Sequence, residues 1–320
     1  MRELVRPTTA IVAATALAAT ACGGGSGDAD GGERVTINIG TLPIANAAPM
    51  YMGMEEGFFE EEGLEVEPTV LQGGNEIVTG LVSGDYDFGF VGYISAGVAV
   101  SQGLPVCVVT ANDATGTSEE DDWQVLVADS DAGIDGPEDL DGATIGVNAL
   151  GGNAEVLIKA ALDQEGLDPN SVELIEVPFP EVPGALSEGR IDAGYTSEPF
   201  ITTVLDEGGE VAWAPQAALA PEYPNGNYTT GEQYMQENAD VVERFTRAMD
   251  RSVEYARDNE DAVRASIPEF TEIPEEMAER MRLPVFTSEI DEPAVQEQME
   301  FTAEYDVTDS APSTDELLCQ

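Results

Sequence analysis

The 320-residue sequence has no histidine, a single lysine and only three cysteines. Without histidine it lacks the side chain that titrates unperturbed near neutral pH, and it has no imidazole ligand for a metal. The commonest general acid–base chemistry is excluded with it. No Gly-x-x-x-x-Gly-Lys-Ser/Thr loop is present to cradle a nucleotide phosphate. Lys159 follows Ile158 inside a helical pattern, a poor place for a cofactor imine. No metal and no cofactor are therefore expected. Positive charge is scarce too: 12 basic residues face 63 acidic ones, for a net charge of −51. Such a chain has no basic face for phosphates, which excludes a nucleic-acid partner, and it does not dock on anionic lipid headgroups. The acidity is spread along the whole chain rather than gathered in a tail. That pattern reads as a surface kept hydrated in high salt. No run reaches the roughly 18 uncharged apolar residues of a membrane-spanning helix.

What is present begins with a leader. Arg2 and Arg6 precede an apolar, uncharged stretch at 11–21, with Glu3 weakening the positive start. Eleven residues rise only about 16 Å as a helix, too short to cross a bilayer. Residues 1–21 therefore read as a secretory signal. Ala19-Thr20-Ala21-Cys22 resembles a lipoprotein signal-peptidase box, in which Cys22 takes a diacylglyceryl group and becomes the N-terminus. Ala19 stands where leucine is usual, and Ala19-Thr20-Ala21 also satisfies an ordinary A-x-A cleavage site. Residues 22–33 would be the lipidated cysteine and a flexible tether of Gly, Ser, Asp and Ala. The expected location is extracytoplasmic, on the outer face of the cell membrane, with the lipid anchor as the one membrane contact. Cys107 and Cys319 then remain as an even pair in an oxidising compartment. A disulfide pinning the tail to the first lobe is one reading; a buried thiol and a free terminal one is the other.

About 300 mature residues fit two compact lobes better than one core. Strand patterns at 35–41, 64–71, 86–91 and 106–110 alternate with helical patterns at 49–62, 76–83 and 94–102, which implies crossover units and a largely parallel sheet. The alternation restarts with strands at 123–128, 144–148, 172–177, 192–196 and 211–214. The two halves echo each other. Ile39-Gly40 recurs as Ile145-Gly146, and L-x-x-G-x-x-D-x-G occurs at 81–89 and again at 186–194. Residues 240–257 form an amphipathic helix, with Val242, Phe245, Met249, Val253 and Ala256 on one face and Glu243 and Arg247 on the other. Further helices at 274–281 and 293–304 most simply pack back on the first lobe. That gives residues 34–112 plus 226–320 as lobe one and 113–225 as lobe two.

Several short motifs fall in order along the chain. They are Ile39-Gly40-Thr41 with Pro49-Met50-Tyr51, Glu55-Glu56-Gly57-Phe58-Phe59, Gly63-Leu64-Glu65-Val66 and Gly73-Gly74-Asn75. Asp87-Phe88-Gly89, then Leu140-Asp141-Gly142-Ala143-Thr144-Ile145-Gly146-Val147 and Glu198-Pro199-Phe200 follow. Through them, over roughly 35–257, the chain resembles the substrate-binding proteins of nitrate/sulfonate/taurine-type ABC importers and the related thiamine-pyrimidine-precursor binders. The resemblance implies an α/β fold of the type II periplasmic-binding-protein class. Two α/β lobes would join through a two-strand hinge near 110–113 and 218–227. It also implies a small-molecule ligand, a permease with its ATPase as partners, and a monomer.

Ligands of open α/β sheets bind beyond the carboxyl ends of the strands. The candidates there are Asn46 in the loop after the first strand, Asn75 at the start of the second helix, Tyr93 after the third strand, and Asn112 at the first crossing. In the second half, Asn148, Gly151, Gly152 and Asn153 join a strand to a helix. Two glycines allow close backbone approach, and the helix start offers N–H groups to a sulfonate, carboxylate or nitrate without any basic residue. Asn153 is equally a plain helix cap. Glu198 would either bond a ligand amine or cap the helix begun by Pro199, and Glu181 is a lower-grade candidate, as are the aromatics Phe179 and Tyr228. Acidic candidates without basic ones hint at a ligand with a hydrogen-bond-donating part, such as an aminosulfonate or aminopyrimidine.

Three classes of function compete: a solute receptor, an enzyme on the same fold, and a surface sensor or adhesion protein. The missing histidine and the absent cofactor motifs disfavour the enzyme, and no segment marks a signalling or wall-binding partner. The receptor for a small organic anion or zwitterion is the preferred reading, with a pyrimidine ligand as the alternative.

Overall fold

The computed structural model describes residues 34–271 and 273–320. The signal segment 1–21, Cys22 and the tether 22–33 lie outside the described residues. Eleven strands are described: β1 (Val35–Thr41), β2 (Leu64–Val70), β3 (Phe88–Gly92), β4 (Val106–Ala114), β5 (Gln124–Asp129), β6 (Thr144–Val147), β7 (Glu173–Glu176), β8 (Ala193–Ser197), β9 (Gly209–Trp213), β10 (Pro224–Gly231) and β11 (Val285–Phe286). They form two sheets. The first has the order β11-β4-β10-β3-β1-β2 and the second β7-β6-β8-β5-β9.

The internal echo is a structural repeat. β1 lies between β2 and β3, all parallel, and β6 lies between β7 and β8 in the same way. Gly40 pairs with Gly89 in one sheet, and Gly146 with Gly194 in the other. The repeated nonapeptide has the same chemistry both times. Gly84 and Gly189 stop a helix in the left-handed region, at φ 78° and 65°. Asp87 Oδ2 then accepts from Asn38 N at 2.7 Å, and Asp192 Oδ2 from Thr144 N at 2.8 Å, which fixes the incoming strand beside its neighbour. The closing glycines lie under packed side chains. A Cβ on Gly89 would fall 2.3 Å from Ile77, and one on Gly194 would fall 2.4 Å from Val182.

Two expectations need correction. The sheets are mixed rather than largely parallel, because β4 and β10 carry the chain between lobes and run antiparallel to one another, and β5 is antiparallel to both β8 and β9. The helix expected at 49–62 is two helices, Ala48–Glu55 and Phe58–Glu61, split at Gly57 with φ 77°.

The Ala239–Asp258 helix returns to the first sheet as its apolar stripe dictates. Val242, Phe245, Met249, Val253 and Ala256 are all buried, and Phe245 stacks on Phe88 with ring centroids 3.8 Å apart. Arg247 reaches Glu62 at 2.8 Å on the wet side. No helix among the described residues is long and apolar enough to cross a membrane.

The C-terminus is stitched to β4. Cys319 N donates to Val108 O at 2.9 Å, and Cys107 and Cys319 are joined by a disulfide across 212 residues. Closing so long a loop restricts the unfolded chain. Reduction is expected to destabilise the protein by about 2–5 kcal/mol in urea unfolding. Recovery of Cys107 and Cys319 peptides as free thiols, alkylated without reduction, would contradict the bridge.

Candidate functional site

The carboxyl ends of β1, β3, β6 and β8 meet across a cleft between the sheets, crossed by β10. A cavity of about 40 Å³ lies there, room for roughly three waters. Asn46 and Ser95 line it from the first lobe, Gln124, Asn148 and Asn153 from the second, and Asn225 from the crossing strand. Phe90, Phe179 and Tyr195 supply apolar walls. No charged side chain lines the cavity.

Behind this lining lies Asp113, 1% exposed, at the end of β4. Its carboxylate accepts four hydrogen bonds and meets no cation among the described residues. Asn46 Nδ2 donates to Oδ2 at 3.1 Å and Asn112 Nδ2 to the same oxygen at 2.7 Å. Asn225 Nδ2 and Gly226 N donate to Oδ1 at 2.9 and 3.2 Å. Burial pushes the acid up to about 6, while these donors hold it down. Because a carboxylate only accepts, it dictates which way each amide points. Nitrogens turn inward to Asp113 and oxygens turn away. Asn46 Oδ1 and Asn112 Oδ1 are left buried with no partner among the described residues, as is Gln124 Oε1. Tyr93 is fully buried and its hydroxyl is likewise unpartnered; burial, then Asp113, pushes its pKa up.

The lobes also bond directly. Asn153 Oδ1 accepts from Ile94 N at 3.0 Å and Ser95 N at 3.4 Å. These are the second and third residues of the Tyr93–Ser101 helix, whose own N-cap, Gly92, offers no side chain. An N-cap is thus supplied in trans, from the opposite lobe. Asn153 does not cap its own helix, where Gly152 holds that position. Ala45 N adds a bond to Glu198 O at 3.0 Å.

Of the sequence candidates, Asn46, Asn148 and Asn153 are brought together on the cavity. Asn112 and Tyr93 sit just behind it. The others are placed elsewhere. Asn75 is exposed at the cleft rim, does not cap its helix, and donates to Leu150 O at 3.5 Å. Gly151 lies beside it in a separate surface groove. Gly152 backs onto Ser95, 3.4 Å from where a Cβ would sit. One N–H of the anion cradle expected at this loop is engaged within the chain, since Gly151 N donates to Glu155 Oε2 at 2.9 Å. Although burial opposes ionisation, the Lys159 ammonium and this N–H hold Glu155 below the usual carboxylate range. Glu181 is exposed, with nothing to hold it at the cavity. Glu198 is buried but committed: its oxygens accept from Thr202 N and Arg282 N, both at 3.1 Å. Gln124 and Asn225 were not among the candidates, and Asp113 stood out only as the residue next to Asn112 at the crossing. Gln124 betrays itself as the one amide in an apolar strand, and Asn225 by the Pro-Asn-Gly-Asn run at the crossing.

A profile described as NMT1/THI5 like matches residues 44–263, more than half of the chain. The chain belongs to that family. The formylaminopyrimidine-binding protein of Halalkalibacterium halodurans is 27% identical over 233 residues, 72% of this chain and 68% of that protein. The taurine-binding periplasmic protein of Escherichia coli is 26% identical over 213 residues, 66% of this chain and 64% of that one. The chain thus spans about two thirds of the length of these relatives. Among solved structures, the alkanesulfonate-binding protein SsuA of Xanthomonas axonopodis pv. citri, bound to MOPS, has a TM-score of 0.72 at 15% identity, covering 88% of this chain and 96% of that chain. This likeness establishes the periplasmic-binding-protein fold.

The geometry makes cleft closure testable. A Cβ on Gly92 would fall 2.2 Å from Asn153 Nδ2. Gly92→Ala should therefore hold the lobes apart, and Asn153→Ala should weaken closure by about 1 kcal/mol, the worth of a helix cap. Small-angle scattering is expected to give a larger radius of gyration for both variants. An unchanged radius in both would remove the trans cap from the account.

A pH dependence follows from Asp122, which is fully buried before β5. Burial pushes this acid up to about 7, against N–H donors from Gly116, Trp123 and Gln124. The folded state then holds a proton that the unfolded state releases near pH 4, so stability falls as pH rises between the two values. Relative to Asp122→Asn, the wild type should lose melting temperature from about pH 4 to about pH 7 and then level off. A flat difference across that range would contradict it.

Proposed function

We propose that this chain is the solute-binding component of an ABC importer, held outside the cell membrane by lipid on Cys22. It captures a small solute between its lobes and presents the closed form to a permease. The observation that carries the reading is the cleft itself. Its cavity is walled from both lobes, lined by amides and aromatic rings, and the Asn153 contact joins the lobes beside it. Relatives named for taurine and formylaminopyrimidine binding support a small organic ligand.

Binding works here as a population shift. A ligand touching both lobes favours the closed form by its differential affinity, and the trans cap contributes to the same side. An enzyme on this fold is the weaker reading. The cavity lining holds no ionisable group apart from the Tyr195 phenol, whose pKa burial and then Asp122 push well above its ordinary value.

The ligand class favoured is a zwitterion or an amino-substituted ring rather than a bare anion such as nitrate. No Lys or Arg lines the cavity, and the loop that would cradle an anion already carries Glu155.

Native mass spectrometry of protein extracted from membranes tests both halves of the proposal. A diacylglyceryl adduct at Cys22 and a small noncovalent compound, released on denaturation in its original form, are expected. An unmodified Cys22 would refute the anchor. Turnover of the compound would refute the receptor reading.

A further inference from the structure

From the hydrogen-bond network around Asp113 we infer that this residue sets the polarity of the cavity, so that the receptor selects ligands presenting an N–H donor group to Asn46. The inference rests on the receptor reading and names the ligand chemistry within it.

The charge balance at Asp113 is unusual. Asp113 is buried without any cation, and its charge is met by three carboxamides and one backbone N–H. An ionised carboxylate accepts only. The amides of Asn46, Asn112 and Asn225 therefore cannot flip without placing an oxygen against an oxygen. Their nitrogens face Asp113, which leaves the oxygens for other partners. Asn112 Nδ2 additionally donates to Asn46 O at 2.8 Å, which fixes the loop carrying Asn46. Asn46 lines the cavity, and its Oδ1 is buried and unpartnered. Gln124 Oε1, across the cavity, is also unpartnered. A buried acceptor without a donor is unfavourable, so a ligand supplying one gains and a ligand lacking one does not.

The same network works against anions. An anionic group at Asn46 would face an oxygen with a buried carboxylate behind it, and no basic side chain lines the cavity to offset the repulsion. The helix starts near the cleft carry oxygens of the chain already. Glu76 Oε2 accepts from Gln72 N, Asn153 Oδ1 from Ile94 N, and Glu155 Oε2 from Gly151 N. Asn153 has both acceptor bonds on its oxygen, so its Nδ2 remains for an acceptor on the far side of the ligand. A molecule with an amino group at one end and an acceptor at the other matches both walls.

The test uses matched probe pairs differing in the amine: taurine against ethanesulfonate, alanine against propionate, and an aminopyrimidine against pyrimidine. Calorimetric titration of the wild type should find the amine member of a binding pair tighter by about tenfold or more. Asp113→Asn lets a facing amide turn its nitrogen to the cavity. The variant should narrow that preference about tenfold, whereas a merely structural role would weaken both members equally. Should Asp113→Asn fail to melt cooperatively, Asn46→Ala takes the same comparison with the same expected narrowing. Equal affinity within every binding pair, or equal weakening of both members by the variant, overturns the inference. If no pair binds, the compound carried through purification decides. One with an N–H group supports the inference, and one without overturns it while the receptor reading stands. A protein that carries and binds no small molecule overturns the receptor reading as well.

Discussion

A carboxylate buried without a cation organises this molecule. Asp113 lies where β4 leaves the first sheet, and its four donors come from the loop after β1, from β4 itself and from β10. Taking a charge out of water costs several kcal/mol unless hydrogen bonds replace the solvent. Those bonds bind the two crossing strands to each other and to the cavity-lining loop that carries Asn46. The hinge and the site therefore share one network. Gly226 has to be glycine for it: a Cβ there would fall 2.4 Å from Asp113 Oδ2.

The second constraint is a helix start completed across the cleft. The Tyr93–Ser101 helix opens at a glycine and leaves N–H groups that Asn153 of the opposite lobe satisfies. When the lobes part, water takes over that role, so the cap adds to closure without making it irreversible. On the proposed receptor reading, closure energy divides between a fixed part built into the chain and a part supplied by ligand. In the proposed receptor, that division would leave solute affinity adjustable by residues that need not touch the solute.

The fold was largely legible in the sequence because its signals are local and repeated. The duplicated L-x-x-G-x-x-D-x-G motif needs its glycines and aspartate for geometry, and both copies build the same parallel pairing. The amphipathic stripe from Val242 to Ala256 could face only a core. The mixed sheets were less legible, since an antiparallel return strand has the same apolar pattern as a parallel one. The site was half legible. Loops at strand ends pointed to Asn46, Asn148 and Asn153, because topology puts ligands there. Asn75 and Glu181 lie off the cavity because a polar residue near a strand end shows its chemistry but not its position, and Glu198 follows its helix-cap alternative by accepting from Thr202 N. Glu198 is held by the N–H of Thr202, four residues on in the helix it caps, and by that of Arg282 from a distant segment, which nothing in its neighbours announces. Asp113 was hidden in the opposite sense. In so acidic a chain one more aspartate carries no signal until burial sets it apart.

A crystal structure of the protein with its bound solute tests the account most directly. It should show Asn153 Oδ1 on the N–H groups of Ile94 and Ser95, and a ligand N–H donor within hydrogen-bond distance of Asn46 Oδ1. A solute oxygen seated against a flipped Asn46 amide, or a solute bound outside this cavity, would contradict it.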